Sequence, residues 1–384
     1  MKHAGCHRAG SCGLPTALAL AAAAACAAGE VAAASSGALH YPQPPRGAVV
    51  DDYHGTRVAD PYRGFELLDA PATRAWVSAE NRLAKPWLDA LPQRAVISRR
   101  LQQLWNYERF DVPQRQGGRY FYTRNDGRQN QSVLYVADSL EAPGRVLFDA
   151  NTARKDATIA LARFVPSPDG KFVAYGLSDG GTDWESWHVK RVADGADLPD
   201  LLVRTKYWTV SWARDASGFY YDLYPALADG KGDDAGRPDL YFHRLGDAQS
   251  SDQLVYAIPD HPTRIADGRV TDDGHYVILS LFEGYKENGV RILDLQRPQA
   301  GVQPLFEAWD ALYTFAGSSA DELYFRTTNG AARGRVIAVD PAHPEPAHWR
   351  EVVPQARDTI ATASIIGGRI VVNYVRDAYG AARV

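Results

Sequence analysis

The stretch Gly176-Leu177-Ser178-Asp179-Gly180 fits the G-x-S-x-G pattern, in which a serine is the nucleophile of a hydrolase. That chemistry needs the serine on a sharp turn between a strand and a helix, where backbone amides bind the oxyanion. An apolar strand does precede Ser178, but loop residues follow it, and Trp184 to Val192 has the pattern of another strand. Ser178 is therefore predicted to lie in a hairpin connection, with a Ser178 hydrolase as an open alternative.

No other group of residues has the spacing of a catalytic or metal site. His54, between Tyr53 and Gly55, is conspicuous, but no acid or nucleophile accompanies it, so a loop histidine is the expected structure. The sequence contains no H-E-x-x-H, no calcium-loop series, no P-loop and no G-x-G-x-x-G fingerprint. We expect no catalytic residue, no metal site and no cofactor within this chain.

The composition favours a large β-structure. The 384 residues include 20 Tyr, 9 Trp, 33 Gly and 23 Pro, which suits many short strands joined by turns. Charged residues make up 23% and the formal net charge is −4, which argues against a nucleic-acid-binding protein.

Residues 1–34 have the pattern of a secretory signal peptide. Lys2 and Arg8 precede an apolar run from Leu14 to Ala28, and small-residue cleavage patterns follow. The run is too short and too rich in alanine for a membrane span, so we expect an exported, periplasmic protein without one. All three cysteines, Cys6, Cys12 and Cys26, lie in this segment, so the mature protein is expected to contain no disulfide.

Residues 35–106 are predicted to form an extended segment followed by two helices. The Pro-rich stretch from Tyr41 to Pro61 shows little periodicity. One helix is predicted from Pro71 to about Leu83, and Pro92 opens another. The apolar faces of these helices are expected to contact partner surfaces and consist of Ala72, Trp76, Ala79 and Leu83 in the first, and Ile97, Leu101 and Leu104 in the second.

From residue 107 to residue 384 the sequence repeats. Apolar-aromatic strands that follow a turn recur at intervals of 46 to 56 residues, starting near Arg119, Lys171, Phe219, His275, Leu323 and Arg369. A period near fifty residues with several strands per unit is typical of a β-propeller; an irregular β-sandwich is the alternative. Barely two strands are visible in the sixth unit, so the sequence predicts about five and a half blades.

Several motifs resemble the prolyl oligopeptidase family, in consistent order from about Tyr41 to Val384. They are Asp52-Tyr53-His54-Gly55, Val58-Ala59-Asp60-Pro61-Tyr62-Arg63, Tyr120-Phe121-Tyr122, Gln129 to Val136, and the stretch from Val165 through Asp183-Trp184. The resemblance implies a mainly β fold with a helical segment and a seven-bladed propeller, followed by an α/β-hydrolase domain carrying a Ser-Asp-His triad. It also implies a serine endopeptidase, monomeric at full length, that cleaves short proline-containing peptides after proline, with the propeller restricting access.

Two departures from the family matter. The family's D-P-Y-x-W-L-E is here Asp60-Pro61-Tyr62-Arg63-Gly64-Phe65-Glu66, with the aromatic residue shifted by one position. The α/β-hydrolase domain is expected to be absent from these 384 residues, so the chain alone is expected to be inactive.

The family's substrate-facing positions on the propeller match Tyr207, Ile265 and Tyr285. The resemblance implies that these three side chains form an apolar subsite for the peptide, while packing between blades is the alternative. A free-standing propeller that binds peptides or proteins is the rival function.

Overall fold

The computed structural model describes residues 39–154, 158–226, 236–258, 261, 263–319 and 322–384. The predicted signal peptide, residues 1–34, and its three cysteines lie outside the described residues. Among the helices that are described, none is both long and apolar enough to cross a membrane.

The first described segment holds a hairpin that the sequence pattern did not predict. Strands β1 (Val50–Tyr53) and β2 (Thr56–Ala59) pair antiparallel. Their turn has His54 and Gly55 at positive φ, as a two-residue hairpin with a type I′ turn requires. The chain is extended within each strand, but the pairing of the two strands was not predicted, because a four-residue strand is too short to show periodicity.

Helix α1 (Pro71–Asp89) is longer than predicted, because it continues through Pro86. Trp76, Ala79 and Leu83 are half-buried as expected, but Thr73 is buried where Ala72 was expected. The shifted aromatic of the family motif, Phe65, lies in a 3₁₀ helix (Arg63–Glu66) and packs 4.9 Å from Trp76, measured between ring centroids.

Helix α2 (Pro92–Trp105) has the predicted start and an unpartnered apolar stripe. Ile97, Leu101 and Leu104 are each about half exposed. The expected partner surface for this stripe is not found in the described part of the chain.

Six antiparallel sheets, blades 1 to 6, follow in chain order. Blade 1 contains β3 (Arg109–Phe110), β4 (Gln114–Gln116), β5 (Arg119–Asn125), β6 (Val133–Ala137) and β7 (Arg145–Asp149), and a short helix, α3 (Ala150–Ala153), follows. Blade 2 contains β8 (Ile159–Pro166), β9 (Phe172–Asp179), β10 (Trp184–Arg191) and β11 (Asp197–Lys206). Blade 3 contains β12 (Ser211–Trp212), β13 (Gly218–Leu223), β14 (Asp239–Arg244) and β15 (Gln253–Tyr256).

The remaining blades have the same meander order. Blade 4 contains β16 (Ile265–Val270), β17 (Tyr276–Phe282), β18 (Asn288–Asp294) and β19 (Val302–Phe306). Blade 5 contains β20 (Tyr313–Ser319), β21 (Glu322–Thr327), β22 (Arg335–Val339) and β23 (Arg350–Val353). Blade 6 contains β24 (Thr359–Ile366), β25 (Arg369–Arg376) and β26 (Tyr379–Arg383).

The repeat predicted from the sequence corresponds to these blades. Each predicted start lies within one residue of the first residue of a blade's second strand. In the five-stranded blade 1, the strand that matches is the third, β5. The prediction of barely two strands in the last unit was wrong, because β26 completes a third. Tyr379-Gly380-Ala381-Ala382-Arg383 lacks the bulky apolar run that marks the other strands.

The first strand of a blade ends in a turn that recurs in blades 2 and 4. The hydroxyl of Ser167 donates to Asp169 Oδ1 over 2.7 Å, and that of Thr271 donates to Asp273 Oδ1 over 2.6 Å. Each hydroxyl also accepts from the backbone amide five residues later, which starts the second strand. The turn is therefore encoded locally by a hydroxyl and an aspartate two residues apart.

The core consists of five apolar clusters, one between each pair of successive blades. In the cluster between blades 2 and 3, Trp187 and Leu202 pack against Trp212 and Phe219, all of which are buried. Burying one such side chain contributes roughly 1.5–3 kcal/mol, so each blade is stabilised mainly by its neighbours.

The first strands of the blades surround a central cavity of about 810 Å³. Its walls include β4 of blade 1 and the opening strands of blades 2 to 6, β8, β12, β16, β20 and β24. The arrangement of one strand per blade around a cavity is that of a β-propeller with six blades.

Candidate functional site

Ser178 is the penultimate residue of β9 and pairs with Glu185 of β10, so the strand extends further into the G-x-S-x-G stretch than predicted, and the hairpin turn follows it. Its hydroxyl donates a 2.6 Å hydrogen bond to the backbone carbonyl of Thr182, and Asp179 Oδ1 forms part of an exposed ion pair with Arg154. A second strand, not a helix, follows this turn. The oxyanion-binding amides of a nucleophile elbow have no counterpart at this position, so the geometry does not support Ser178 as a nucleophile.

His54 is also a turn residue. It is exposed at positive φ in the β1–β2 turn, which is fixed by a 2.6 Å hydrogen bond from the Gly55 amide to Asp52 Oδ1. Within the described ranges, no group of three or more His, Cys, Asp or Glu side chains is placed to hold a metal ion.

Tyr207 lies between blades 2 and 3, directly after β11. Its backbone has φ of 70°, which is unfavourable for a side chain of this size and is typical of a functional or tightly constrained position. The hydroxyl donates a 2.9 Å hydrogen bond to Asp183 Oδ2, and the Lys206 ammonium lies 5.3 Å from the ring centroid. The side chain is about half exposed.

Ile265 and Tyr285 lie at the same edge of blade 4. Ile265 is the first residue of β16 and pairs with Phe282, the last residue of β17. The Phe282 ring stacks on Trp208 of the neighbouring blade with centroids 5.5 Å apart. Tyr285 follows three residues later in the β17–β18 turn and is 96% exposed.

These contacts bring the three predicted substrate-binding residues to one end of the ring. Trp208 adjoins Tyr207 in sequence, and its stack on Phe282 connects Tyr207 to Ile265. The resulting edge exposes two tyrosines beside a half-buried isoleucine. Such a surface can bind an apolar side chain or the flat face of a peptide, but it contains no nucleophile.

Sequence reasoning missed a pair of buried carboxyl groups behind this edge. Burial raises the pKa of Asp222, on β13, well above its usual range, and the neighbouring Asp267 raises it further. Burial likewise raises the pKa of Asp267, on β16, against the opposing effect of Arg269. The two carboxyl groups lie on neighbouring blades 3 and 4, and Asp267 is two residues from Ile265. The only sign of the pair in the sequence was an aspartate within each of two strands.

A second buried network joins blades 2 and 3 away from this edge. His243 lies between two carboxylates, with Nδ1 2.7 Å from Asp252 Oδ1 and Nε2 3.0 Å from Asp200 Oδ1. Tyr221 donates a 2.6 Å hydrogen bond to the other oxygen of Asp252. The bonded residues are 9 to 43 positions apart in the sequence, so no local motif predicts the network.

A family model described as prolyl oligopeptidase, N-terminal β-propeller domain, matches residues 42–383. The chain belongs to the prolyl oligopeptidase family. The propeller is 31% identical over 350 residues to a prolyl endopeptidase of Elizabethkingia meningoseptica, an alignment that covers 91% of this chain and 49% of that protein. A prolyl endopeptidase of Dictyostelium discoideum is 27% identical over 390 residues, covering 85% of this chain and 51% of that protein.

Solved structures agree with these matches. A prolyl endopeptidase structure superimposes with a TM-score of 0.81 at 32% identity, covering 90% of this chain and 51% of the other. Prolyl oligopeptidase B from Galerina marginata, bound to a 35mer hydrolysis and macrocyclization substrate, gives a TM-score of 0.75 at 25% identity, covering 90% and 52%. The chain spans about half the length of the curated relatives that it matches.

Proposed function

We propose that this propeller is the gating half of an exported prolyl endopeptidase, a serine hydrolase that cleaves short peptides after proline. The match of residues 42–383 to the propeller half of named prolyl endopeptidases carries the proposal. The nucleophile, acid and histidine of the reaction would belong to an α/β-hydrolase domain paired with this propeller.

In this proposal, Tyr207, Ile265 and Tyr285 contact the peptide upstream of the scissile proline. Their position at one end of the ring supports a shared role, because the edge where β16 begins adjoins both tyrosines. Packing between blades does not account for the exposure of Tyr285 or for the positive φ of Tyr207.

Further features of the full protein belong to the same proposal. The family resemblance supports a ring of seven blades at full length and a monomer. The basic and apolar pattern of residues 1–34 supports export to the periplasm. The exposed apolar stripe of α2 would be covered by the hydrolase domain.

A chimaera tests the proposal directly. These propeller residues would replace the matching half of the Elizabethkingia meningoseptica prolyl endopeptidase, and cleavage of a chromogenic Gly-Pro substrate would be measured. We expect cleavage by the chimaera and none by the 384-residue chain alone. Cleavage by the purified chain alone would refute the assignment of the chemistry to another domain.

Variants of the chimaera test the peptide contacts. Replacing Tyr207 or Tyr285 by alanine is expected to raise KM about tenfold with kcat little changed, since uniform binding energy is lost. Tyr379→Ala, an exposed tyrosine on blade 6, is the matched control. If all three variants have the KM and kcat of the parent chimaera, the proposed subsite is wrong. If the chimaera binds peptides but cleaves none, a free-standing binding propeller is favoured instead.

A further inference from the structure

A cavity of about 410 Å³ lies at the junction of blades 3 and 4, and neither the sequence motifs nor the proposed peptide contacts account for it. Its walls come from the ends of β15, β17 and β19 and from the start of β18. Three aromatic side chains line it, and two arginines enter it; these residues are Tyr256, Phe306, Trp309, Arg264 and Arg291.

Both arginines lie over aromatic rings. The guanidinium carbon of Arg264 lies 4.1 Å from the Trp309 ring centroid, and that of Arg291 lies 5.7 Å from the Tyr256 centroid. A guanidinium group over an aromatic ring can still donate from its N–H groups to acceptors.

Each arginine uses only part of its donor set. Arg264 donates from Nε to Glu283 Oε2 over 2.9 Å, and its terminal nitrogens donate to no other group in the described part of the chain. Arg291 donates from Nη2 to Glu307 Oε1, while its Nε is buried without a hydrogen-bond partner among the described residues. The terminal nitrogens of both guanidinium groups therefore retain N–H donors that a ligand in the cavity can use.

Each of the two arginines has a carboxylate partner. Arg264 pairs with Glu283, and Arg291 pairs with Glu307. His261 also lines the cavity. The recognition chemistry of the cavity is therefore that of the guanidinium N–H donors that the two ion pairs leave unused.

We propose that this Arg264/Arg291 pocket binds a carboxylate carried on a flat apolar group. The carboxylate would accept from the unused donors of the two guanidinium groups, and the apolar group would pack on Phe306, Trp309 and the buried Leu281. A free peptide C-terminus and an acidic side chain share this chemistry. The pocket does not include Tyr207 or Tyr285, and its test involves no cleavage, so the outcome is independent of the proposed function.

Isothermal titration of the 384-residue chain tests the pocket. The probe is N-acetyl-phenylalanine, and its amide is the uncharged probe with the same ring. We expect the acid to bind with a Kd of about 1 mM or below and the amide at least about tenfold more weakly, because the charge-assisted hydrogen bonds are lost. N-acetyl-glutamic acid α-amide distinguishes a side-chain carboxylate from a chain terminus.

Arg291→Gln is expected to weaken binding of the acid at least tenfold. Arg335→Gln is the matched control. Arg335 pairs with Glu351 within blade 5, and its Nε is also buried without a hydrogen-bond partner among the described residues. Arg335 does not line the pocket. If Arg291→Gln does not fold, as judged by circular dichroism, Gly289→Ala replaces it. A Cβ on Gly289 would lie 3.2 Å from the Trp309 indole, so the indole and the Arg264 guanidinium over it would have to shift, while both arginines are retained in the chain. We expect this variant also to bind the acid at least tenfold more weakly.

The proposal is overturned if no probe binds at 10 mM, or if acid and amide bind equally. It is also overturned if the Arg335 variant loses as much affinity as the Arg291 variant.

Discussion

Replacement of His243 is the sharpest test of how the blades are joined. The imidazole is fully buried, and both of its nitrogens face carboxylates, those of Asp200 and Asp252. Removing it leaves two buried carboxylates without their shared cation. Breaking a buried charged network by removing one partner costs about 3–5 kcal/mol, and we expect a loss in this range for His243→Gln near neutral pH.

The pH dependence of this loss has a definite sign. Burial alone would lower the pKa of His243, but the hydrogen bonds and charges of Asp200 and Asp252 outweigh burial and raise it. The folded protein therefore retains a proton that the unfolded chain releases near pH 6.5. Its contribution to stability is complete below that pH and is lost as the pH rises through the folded-state pKa, by about 1.4 kcal/mol for each unit of pKa difference.

The assay is urea unfolding of wild-type and variant chains, followed by circular dichroism at several pH values from about 6.5 to 9, above the unfolded-state pKa of histidine. The penalty of His243→Gln should become smaller across this range. His188→Gln is the matched control, because burial lowers the pKa of His188, so the folded state favours the neutral imidazole in this range. A penalty at His243 that stays constant with pH, as expected at His188, would refute the charged-network interpretation.

Four further substitutions test the fold. Gly117→Ala should lower the free energy of unfolding in urea by about 3 kcal/mol or more, since the new Cβ would lie 2.0 Å from the carbonyl oxygen of Asp169 at φ of 54°. Gly180→Ala, with open space and φ of 64°, should lower it by only about 1 kcal/mol in the same assay. Ser178→Ala should lower the free energy of unfolding by at most about 1 kcal/mol, the usual net value of one hydrogen bond, and a fluorophosphonate should not label the wild-type serine; labelling would restore the hydrolase alternative. Trp187→Ala should cost about 3–5 kcal/mol in urea unfolding, because the side chain is fully buried between two blades; a loss below 1 kcal/mol would contradict that packing.

The repeat could be predicted from the sequence because it is encoded locally. The strand starts near Arg119, Lys171 and His275 were visible since each follows a turn and opens an apolar run. The third strand of blade 6 was missed because Tyr379–Arg383 lacks a run of bulky apolar residues. Helix α1 was predicted too short because Pro86 usually ends a helix, whereas here the backbone continues past it.

The sites were less predictable for a physical reason. Tyr207 and Tyr285 were predicted as substrate-binding residues through the family resemblance, and the structure adds a stack between Trp208 and Phe282, which lie close to them in sequence. The Asp222–Asp267 pair and the Arg264/Arg291 pocket depend on side chains from different blades. No spacing in the sequence indicates which residues of neighbouring blades face each other.

The meander order of the blades has a consequence for how the chain acquires its structure. Every strand from β6 onward pairs only with strands adjacent in sequence, and no blade takes a strand from elsewhere in the described chain. Contact order within a blade is therefore low, and a blade can close as soon as its own strands are available. Successive blades then add to a folded neighbour, so ordered growth from the N-terminal end during synthesis needs no distant segment.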